Sequence, residues 1–376
     1  MDSSRSLEHV LSMQGGEDDV SYAKNSYGPA AALASSKEIL TSAIHSIKLT
    51  KGCSYSHLKI ADLGCAVGDN TFSTVDTVVE VLRKKLAVDD GGAELEIEVF
   101  FSDLPSNDFN MLFRSLEGKV NGSSQKYFAA GVPGSFYKRL FPKGELHVVV
   151  TSSALQWLSQ IPEKVMEKGS KTWNKGRVWI EGAEKEVVEA YAEQSEKDLI
   201  EFLKCRKEEI VVGGVLFMLM GGRPCGSMSQ FGDPDTSVKH PFSSSMNQAW
   251  QDLVDEGLIE EEKRDGFNIP VYNRSTDEIA AGIERVGGFK IEKMENLRIA
   301  DHMNDRQEEL MKDLDSYGRT RANLAQAGLK PVVQAYLGPD LTGKLFKQYA
   351  IQAARDKEIL MKNCFYSMIA VSAIRV

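Results

Sequence analysis

Hydrophobic residues along the chain form short continuous runs, separated by longer stretches of mixed polar and apolar residues. Runs rich in β-branched and aromatic residues predict strands, and those without polar alternation predict strands buried on both faces. The predicted strands cover residues 58–61, 94–102, 146–151, 213–220 and 368–376. Between them, apolar residues recur at helical spacing, most clearly over residues 187–210. This alternation predicts an α/β fold with a mostly parallel sheet.

The later part of the chain has a different pattern. Residues 226–245 are rich in Gly, Ser and Pro, which predicts a connection or mobile loop. Residues 246–355 look mainly helical and are too long for a crossover, so we expect them to cover the strand ends. The predicted units are a core with an amino-terminal segment (1–230), a mainly helical substrate cap (231–355) and a final strand (356–376) that returns to an edge of the core sheet.

The composition is ordinary for an enzyme. The 376 residues can bury a sizeable core, and the formal charge of −9 argues against nucleic acid or an anionic membrane as partner. The five cysteines lack the spacing of metal or thioredoxin motifs, which favours a reducing compartment. Since no stretch of about 18 apolar residues occurs, we expect a cytoplasmic protein without membrane contact, and a homodimer is left open.

Residues 62–70, directly after the first predicted strand, have the composition of a nucleotide-type loop. Gly64 and Gly68 allow tight turns and close approach of a ligand, and a helix that begins near Asn70 would aim unpaired N–H groups at it. The loop lacks the Gly-Lys-Ser/Thr of a phosphate loop and the third glycine of a dinucleotide loop. Asp62 suits a ligand that carries an amine, such as the methionine moiety of S-adenosylmethionine. Glycines with only a packing role would explain the same pattern.

A second acidic residue, Asp103, closes the next predicted strand. In a doubly wound sheet the ligand lies beyond the carboxyl ends of adjacent strands, where an acid can accept both ribose hydroxyls. We favour this role because the 62–70 loop follows the preceding predicted strand in the same way that Asp103 follows this one. The alternative is that Asp103 caps a helix, since residues 103–107 also resemble a helix start.

Several segments, in a fixed order, resemble the plant SABATH family of carboxyl and N-methyltransferases. They are residues 13–16, 21–26, 61–65, 103–110, 131–137, 155–160 and 265–270. The resemblance covers nearly the whole chain and is greatest to the gibberellin carboxyl methyltransferases, through residues 7–18 and 176–192. It implies a Rossmann-like class I methyltransferase sheet with a mainly helical cap, and S-adenosylmethionine as cofactor.

The resemblance also implies roles for single residues. Positions that contact the cofactor in the family match Tyr22, Cys65, Asn70, Asp103, Leu104, Ser135 and Phe136, with Asp62 beside them. Positions that contact the substrate match Ser153, Gln156 and Trp157. The indole N–H of Trp157 is a donor only and suits a carboxylate oxygen, whereas a core aromatic is the alternative.

Two residues depart from the family pattern. Pro29, which has no donor, stands where carboxyl-methylating relatives often carry a glutamine that holds the second carboxylate oxygen. Gln14 stands where some relatives carry a lysine. We therefore expect Gln156, next to Trp157, to supply the missing amide; a hydrogen bond from Gln156 to backbone or ribose is the alternative.

A third group of residues matches positions associated with Mg²⁺ in relatives: Asn174, Asp265, Phe267 and Asn268. Amide, carboxylate and backbone oxygens are correct ligands for a hard cation, though one carboxylate supplies little charge. An Asp-Gly turn capped by asparagines is the alternative. Even with the metal bound, we expect it to stay outside the chemistry.

These features predict S-adenosylmethionine-dependent methylation of the carboxylate of a small plant hormone acid, with gibberellins as the expected substrates. A carboxylic acid with a pKa of about 4 is already ionised at neutral pH, so no general base is assigned. The alternatives are methylation of an indole-acetate, benzoate or jasmonate type of acid, N-methylation of a purine, and a hormone-binding module without turnover. The Asp62 loop and Asp103 argue against the last of these.

Overall fold

One mixed sheet forms the centre of the protein. The computed structural model describes residues 7–48, 57–89, 95–120, 126–223, 227 and 241–376. The strands are β1 (His57–Leu63), β2 (Glu96–Asp103), β3 (Phe128–Pro133), β4 (Leu146–Ser152), β5 (Ile210–Arg223), β6 (Arg274–Ser275), β7 (Phe289–Ala300) and β8 (Phe365–Arg375). Their order is β3-β2-β1-β4-β5-β8-β7, and the short β6 pairs with β5.

The sheet is parallel from β3 to β5 and antiparallel at its other end. β1 pairs in parallel with β2 and β4, whereas β8 runs antiparallel to both β5 and β7. Strands β1, β4 and β5 are mostly buried, which explains why they appear in the sequence as continuous apolar runs. The predicted α/β fold is confirmed.

The predicted edge position of the last strand is wrong. β8 lies inside the sheet, because β7 pairs with its outer side. Most residues of β7 are partly or fully exposed, and charged residues alternate with apolar ones along it. This pattern is typical of an outer strand, and hydropathy alone does not separate it from the helical segments on either side.

Helices cover both faces of the sheet. Along β4, Val148 and Val150 join one buried cluster and Val149 joins another, as the alternation of side chains requires. The first cluster includes α2 (Tyr27–His45), α3 (Asp69–Asp89) and α4 (Phe109–Val120). The second includes α5 (Lys185–Glu209) and α8 (Thr276–Val286).

A further helical layer has a buried core of its own. Its long helices are α6 (Pro241–Asp255), α10 (Leu314–Leu337) and α11 (Pro339–Arg355); the short helices of the chain are α1 (Tyr22–Asn25), α7 (Glu261–Asp265), α9 (Gln307–Lys312) and α12 (Lys357–Met361). The division at 230 and 355 stays a prediction, and α8 and β7, which fall between these limits, pack with the central sheet. Among the described helices, none has the length and apolarity needed to cross a membrane. Most of the predicted 226–245 connection lies outside the described residues.

Candidate active site

The loop from β1 to α3 turns through left-handed backbone. Gly64 has a φ of +80°, and a Cβ placed there would lie 2.4 Å from the Cβ of Ala154. Ala66, with a φ of +48°, donates its backbone N–H to Oδ2 of Asp103 at 2.7 Å. The acid at the end of β2 thus holds the loop that ends β1, as the parallel register of the two strands allows.

Two buried carboxyl groups lie at this edge of the sheet. Asp103 also accepts a 2.7 Å bond from the Leu104 N–H, and Asp62 accepts one from the Thr71 hydroxyl. Burial raises the pKa of Asp103 to about 6. Burial, with a smaller contribution from the Asp103 charge, raises the pKa of Asp62 to about 7. A cationic ligand would stabilise the ionised form of both groups.

A cavity of about 70 Å³ lies against this loop. Five of the eight predicted cofactor residues line it: Tyr22, Asp103, Leu104, Ser135 and Phe136. Asp62, Cys65 and Asn70 do not line it. Asn70 donates instead to the backbone carbonyl of Ser26 at 3.3 Å. The lining still fits S-adenosylmethionine, because the Asp103 oxygens retain lone pairs that can accept from the ribose hydroxyls and the Phe136 ring offers an aromatic wall.

A larger cavity of about 290 Å³ adjoins the first. Met13, Tyr22, Ser153 and Trp157 line both cavities. Burial, together with the charges of Asp103 and Asp62, raises the pKa of Tyr22, so its phenol stays protonated. The boundary between the two spaces is therefore formed by two aromatic residues, a methionine and a serine.

Ser153 has an unusual backbone and an unsatisfied side chain. Its φ is +54°, and its buried Oγ has no hydrogen-bond partner among the described residues. Buried hydroxyls without a partner are uncommon, and strained backbone clusters at functional sites. Ser153 thus has the properties of a residue whose partner is a ligand.

Trp157 is held by its backbone, and its side chain is left for a ligand. Its carbonyl oxygen accepts a 2.6 Å bond from the Tyr137 hydroxyl, and its backbone forms a bridge to Val271. Among the described residues, the hydrogen bonds of Trp157 are made by its backbone, and none is found for the indole N–H. It is thus a donor available at the boundary between the cavities.

Gln156 lines the larger cavity, but its amide is already engaged. Nε2 donates to the backbone carbonyl of Ser153 at 2.8 Å, and Oε1 accepts from the Gly221 N–H at 3.4 Å. One N–H of the amide remains for a substrate, so its predicted role in the carboxylate clamp stays a prediction. Pro29 also lines this cavity, whereas Gln14 does not.

The predicted Mg²⁺ ligands do not fit a cation site. The Asn174 amide donates to Oδ1 of Asn268 at 2.7 Å. Asp265 is paired with Arg264 at 2.8 Å and accepts the Gly176 N–H at 2.9 Å. The single carboxylate is thus neutralised by a guanidinium that would repel a cation. In the part of the chain that the structure describes, no three His, Cys, Asp or Glu residues form a metal-binding group.

The residues predicted to bind Mg²⁺ instead support the loop that carries Trp157. Phe267, the fourth predicted ligand, is buried, and its ring stacks on Trp250 at 4.7 Å. A few residues later, the carbonyl of Pro270 accepts the Leu158 N–H at 2.8 Å. The packing of residues 265–272 therefore fixes the backbone beside the Trp157 indole.

Sequence reasoning missed several polar residues of the larger cavity, and three of them, His302, Arg321 and Tyr366, lie close together. Arg321 interrupts an apolar stripe on α10, and a basic residue within such a stripe is a local signal for a polar site. Which strand and loop face that helix depends on long-range packing and has no local signal.

The fold and the site define a Rossmann-like methyltransferase in which a cofactor cavity at the strand ends opens onto a separate acceptor cavity. Residues 8–376 match the family of SAM-dependent carboxyl methyltransferases, and the chain belongs to this family. The resemblance to the SABATH enzymes is confirmed, as is S-adenosylmethionine as the methyl donor.

Named relatives extend over the whole chain. It is 82% identical over 378 residues to gibberellic acid methyltransferase 1 of Arabidopsis thaliana, with 100% of both chains covered. It is 60% identical over 373 residues to gibberellic acid methyltransferase 2 of the same plant, covering 99% of this chain and 96% of that protein. The solved structure of loganic acid methyltransferase with SAH matches with a TM-score of 0.84 and 30% identity, over 96% of this chain and 98% of that chain.

Proposed function

We propose that this enzyme methylates the carboxylate of gibberellins and releases the methyl ester. The observation that carries the proposal is the unpaired indole N–H of Trp157 where the cofactor cavity meets a mainly apolar cavity of about 290 Å³. The identity of 82% to a protein named for gibberellic acid supports the substrate class. A rigid hydrocarbon acid matches such a cavity, because apolar burial supplies affinity and one donor orients the carboxylate.

The chemistry requires orientation more than proton transfer. S-adenosylmethionine supplies an electrophilic methyl group on a sulfonium. A lone pair of the substrate carboxylate forms the new C–O bond as the C–S bond breaks, and S-adenosylhomocysteine leaves with the electron pair of that bond. No proton moves, so the chain needs no general base. Trp157 can hold one carboxylate oxygen in line, and the buried cavity walls replace the water shell of the nucleophile.

The test is transfer of a labelled methyl group to a panel of acids. The panel contains gibberellins, indole-acetate, a jasmonate and a benzoate, with a methylxanthine as the purine. We expect gibberellin methyl esters as the main products, with kcat/KM at least about tenfold above that for any other acceptor. A higher value for another acid or the purine would overturn the proposed substrate class. Binding of gibberellins without any turnover would instead indicate a hormone-binding module.

A further inference from the structure

One wall of the larger cavity is a stripe along α10. Arg321, Leu324, Ala325 and Gly328 all line it, at a spacing that places them on one face of the helix. Gly328 lies at the reaction end, because a Cβ on it would be 3.8 Å from the Trp157 ring. Arg321 precedes Gly328 by seven residues, which is roughly 10 Å along the helix axis. Arg321 therefore marks the end of the cavity remote from Trp157.

The guanidinium of Arg321 is held in place and retains donors. The residue is 4% exposed. Its Nη2 lies 2.7 Å from Oδ2 of Asp301, its Nη1 donates to the Tyr366 hydroxyl at 3.0 Å, and its Nε donates to the Tyr317 hydroxyl at 3.3 Å. A guanidinium has five N–H donors, so these contacts leave two for a ligand.

The charge of Arg321 is already matched. Asp301 also accepts from the Tyr366 hydroxyl and from the Met303 N–H, and it contacts Nδ1 of His302 at 3.2 Å. Burial raises the pKa of Asp301, but the bond from His302, the Arg321 charge and the bond from Tyr366 outweigh it and keep the pKa below its ordinary range. A second substrate carboxylate at this end would therefore be buried without an unmatched cation. An uncharged oxygen loses much less hydration there.

We propose that Arg321 donates to an uncharged oxygen of the substrate, either a ring hydroxyl or a lactone carbonyl, remote from the carboxylate that is methylated. The inference rests on the proposed function, because gibberellins are rigid polycyclic acids that carry such oxygens. His302 lines the same cavity, and its Nε2 is buried without a partner among the described residues. Because Nδ1 of His302 contacts Asp301 at 3.2 Å, Nε2 is the ring nitrogen that remains, and as an acceptor it would suit a hydroxyl and not a carbonyl. Arg321 is thus a specificity residue and does not touch the reacting atoms.

The test compares kcat/KM for gibberellins that differ at the remote position, which carries a hydroxyl, a lactone carbonyl, a second carboxylate or no oxygen. For the parent enzyme we expect kcat/KM for the hydroxyl or the lactone compound to be at least about tenfold above that for the compounds with a second carboxylate or no oxygen. Arg321→Met combined with Asp301→Asn removes both charges together, so no buried ion is left unpaired. This double variant should reduce the preference to within about threefold, with S-adenosylhomocysteine affinity retained.

Two further variants separate the sources of the effect. Arg319→Met is the matched control, because Arg319 lies on the same helix with its side chain 65% exposed, and it should keep the parent preference. His302→Asn keeps a donor toward Asp301 but loses Nε2, so it should weaken the preference for the hydroxyl and spare the lactone.

Three results would overturn the inference. They are a parent enzyme that shows no preference for an uncharged oxygen over the second carboxylate and the bare hydrocarbon, a double variant with the parent preference, and an equal loss by the double variant on all four acids. The last result would assign Arg321 to folding alone. If the parent methylates no gibberellin, the proposed function fails and this assignment fails with it, whereas turnover without discrimination removes only the assignment of Arg321.

Discussion

The side-chain amide of Gln156 donates a 2.8 Å hydrogen bond to the backbone carbonyl oxygen of Ser153. Ser153 has a φ of +54°, a conformation that residues other than glycine rarely adopt. Its N–H donates to the carbonyl of Leu219 on β5, so the turn after β4 is held from two sides. Strained backbone persists where its surroundings fix it, and here that backbone positions a serine hydroxyl at the boundary between two cavities.

Gln156→Leu should lower kcat/KM for the acid by roughly 10- to 100-fold while affinity for S-adenosylhomocysteine holds. The variant loses the bond to Ser153 and the N–H that remains for the second carboxylate oxygen. Gln156→Glu is the matched comparison, since it keeps the size but cannot donate while ionised. Steady-state kinetics and calorimetric titration measure both quantities. Parent-like turnover by both variants would remove Gln156 from substrate binding and from support of the Ser153 turn.

Asp103→Asn should weaken the cofactor affinity by about 1.5 to 3 kcal/mol, because a charge-assisted bond to ribose becomes a neutral one. Calorimetric titration with S-adenosylhomocysteine measures the change. Asp69→Asn is the control, since Asp69 begins α3 near the same loop but its side chain is 84% exposed. If both variants bind like the parent, Asp103 only holds the loop through Ala66 and Leu104.

Binding of S-adenosylmethionine should strengthen as pH rises through about 6 to 7. The ligand-free protein holds a proton on Asp103 below about pH 6 and on Asp62 below about pH 7. A cationic ligand favours the ionised carboxylates, so binding at low pH releases their protons. Below these pKa values, each unit by which the pH is lowered therefore reduces the affinity roughly tenfold for each proton released. Calorimetry in two buffers of different ionisation enthalpy counts these protons. Constant affinity over this range, with no proton release, would contradict the link to the two acids.

Removal of divalent cations should leave turnover unchanged. The carboxylate of Asp265 is paired with Arg264, and Oδ1 of Asn268 accepts from the Asn174 amide, so two of the four predicted ligands already have other partners. Assays with a chelator and with added Mg²⁺, alongside thermal melting, test this. A loss of turnover that Mg²⁺ reverses would show that these residues rearrange around a metal.

Local sequence signals predicted the parts of the site that one segment builds by itself. The 62–70 loop has its two glycines where the chain turns, and Asp103 lies at the end of β2 as its position after an apolar run suggests. Composition could not distinguish residues that face the cavity from those behind it. Asp62 and Cys65 are in the loop but do not line the cofactor cavity.

Features that depend on contacts between distant segments had no such signal. The left-handed backbone of Ala66 depends on Asp103, which lies 37 residues away in the sequence. Arg321 on α10 bonds to Asp301, which follows β7, and to Tyr366 on β8. The sequence pattern did not reveal β7 as a strand, so this cluster could not be predicted. The same long-range pairing placed β8 inside the sheet.

Trp157→Phe tests whether the substrate carboxylate lies at the Trp157 indole or elsewhere in the larger cavity. The variant keeps an aromatic ring and removes only the N–H, and the loop should persist because Tyr137 binds the backbone carbonyl at this position. If the carboxylate binds there, kcat/KM should fall roughly 10- to 100-fold with cofactor affinity unchanged. Trp173→Phe is the control, since Trp173 lines neither cavity. Parent-like turnover by Trp157→Phe would mean that the carboxylate is held from elsewhere in the cavity, and the Trp157 indole would then lose its place in the proposed substrate orientation.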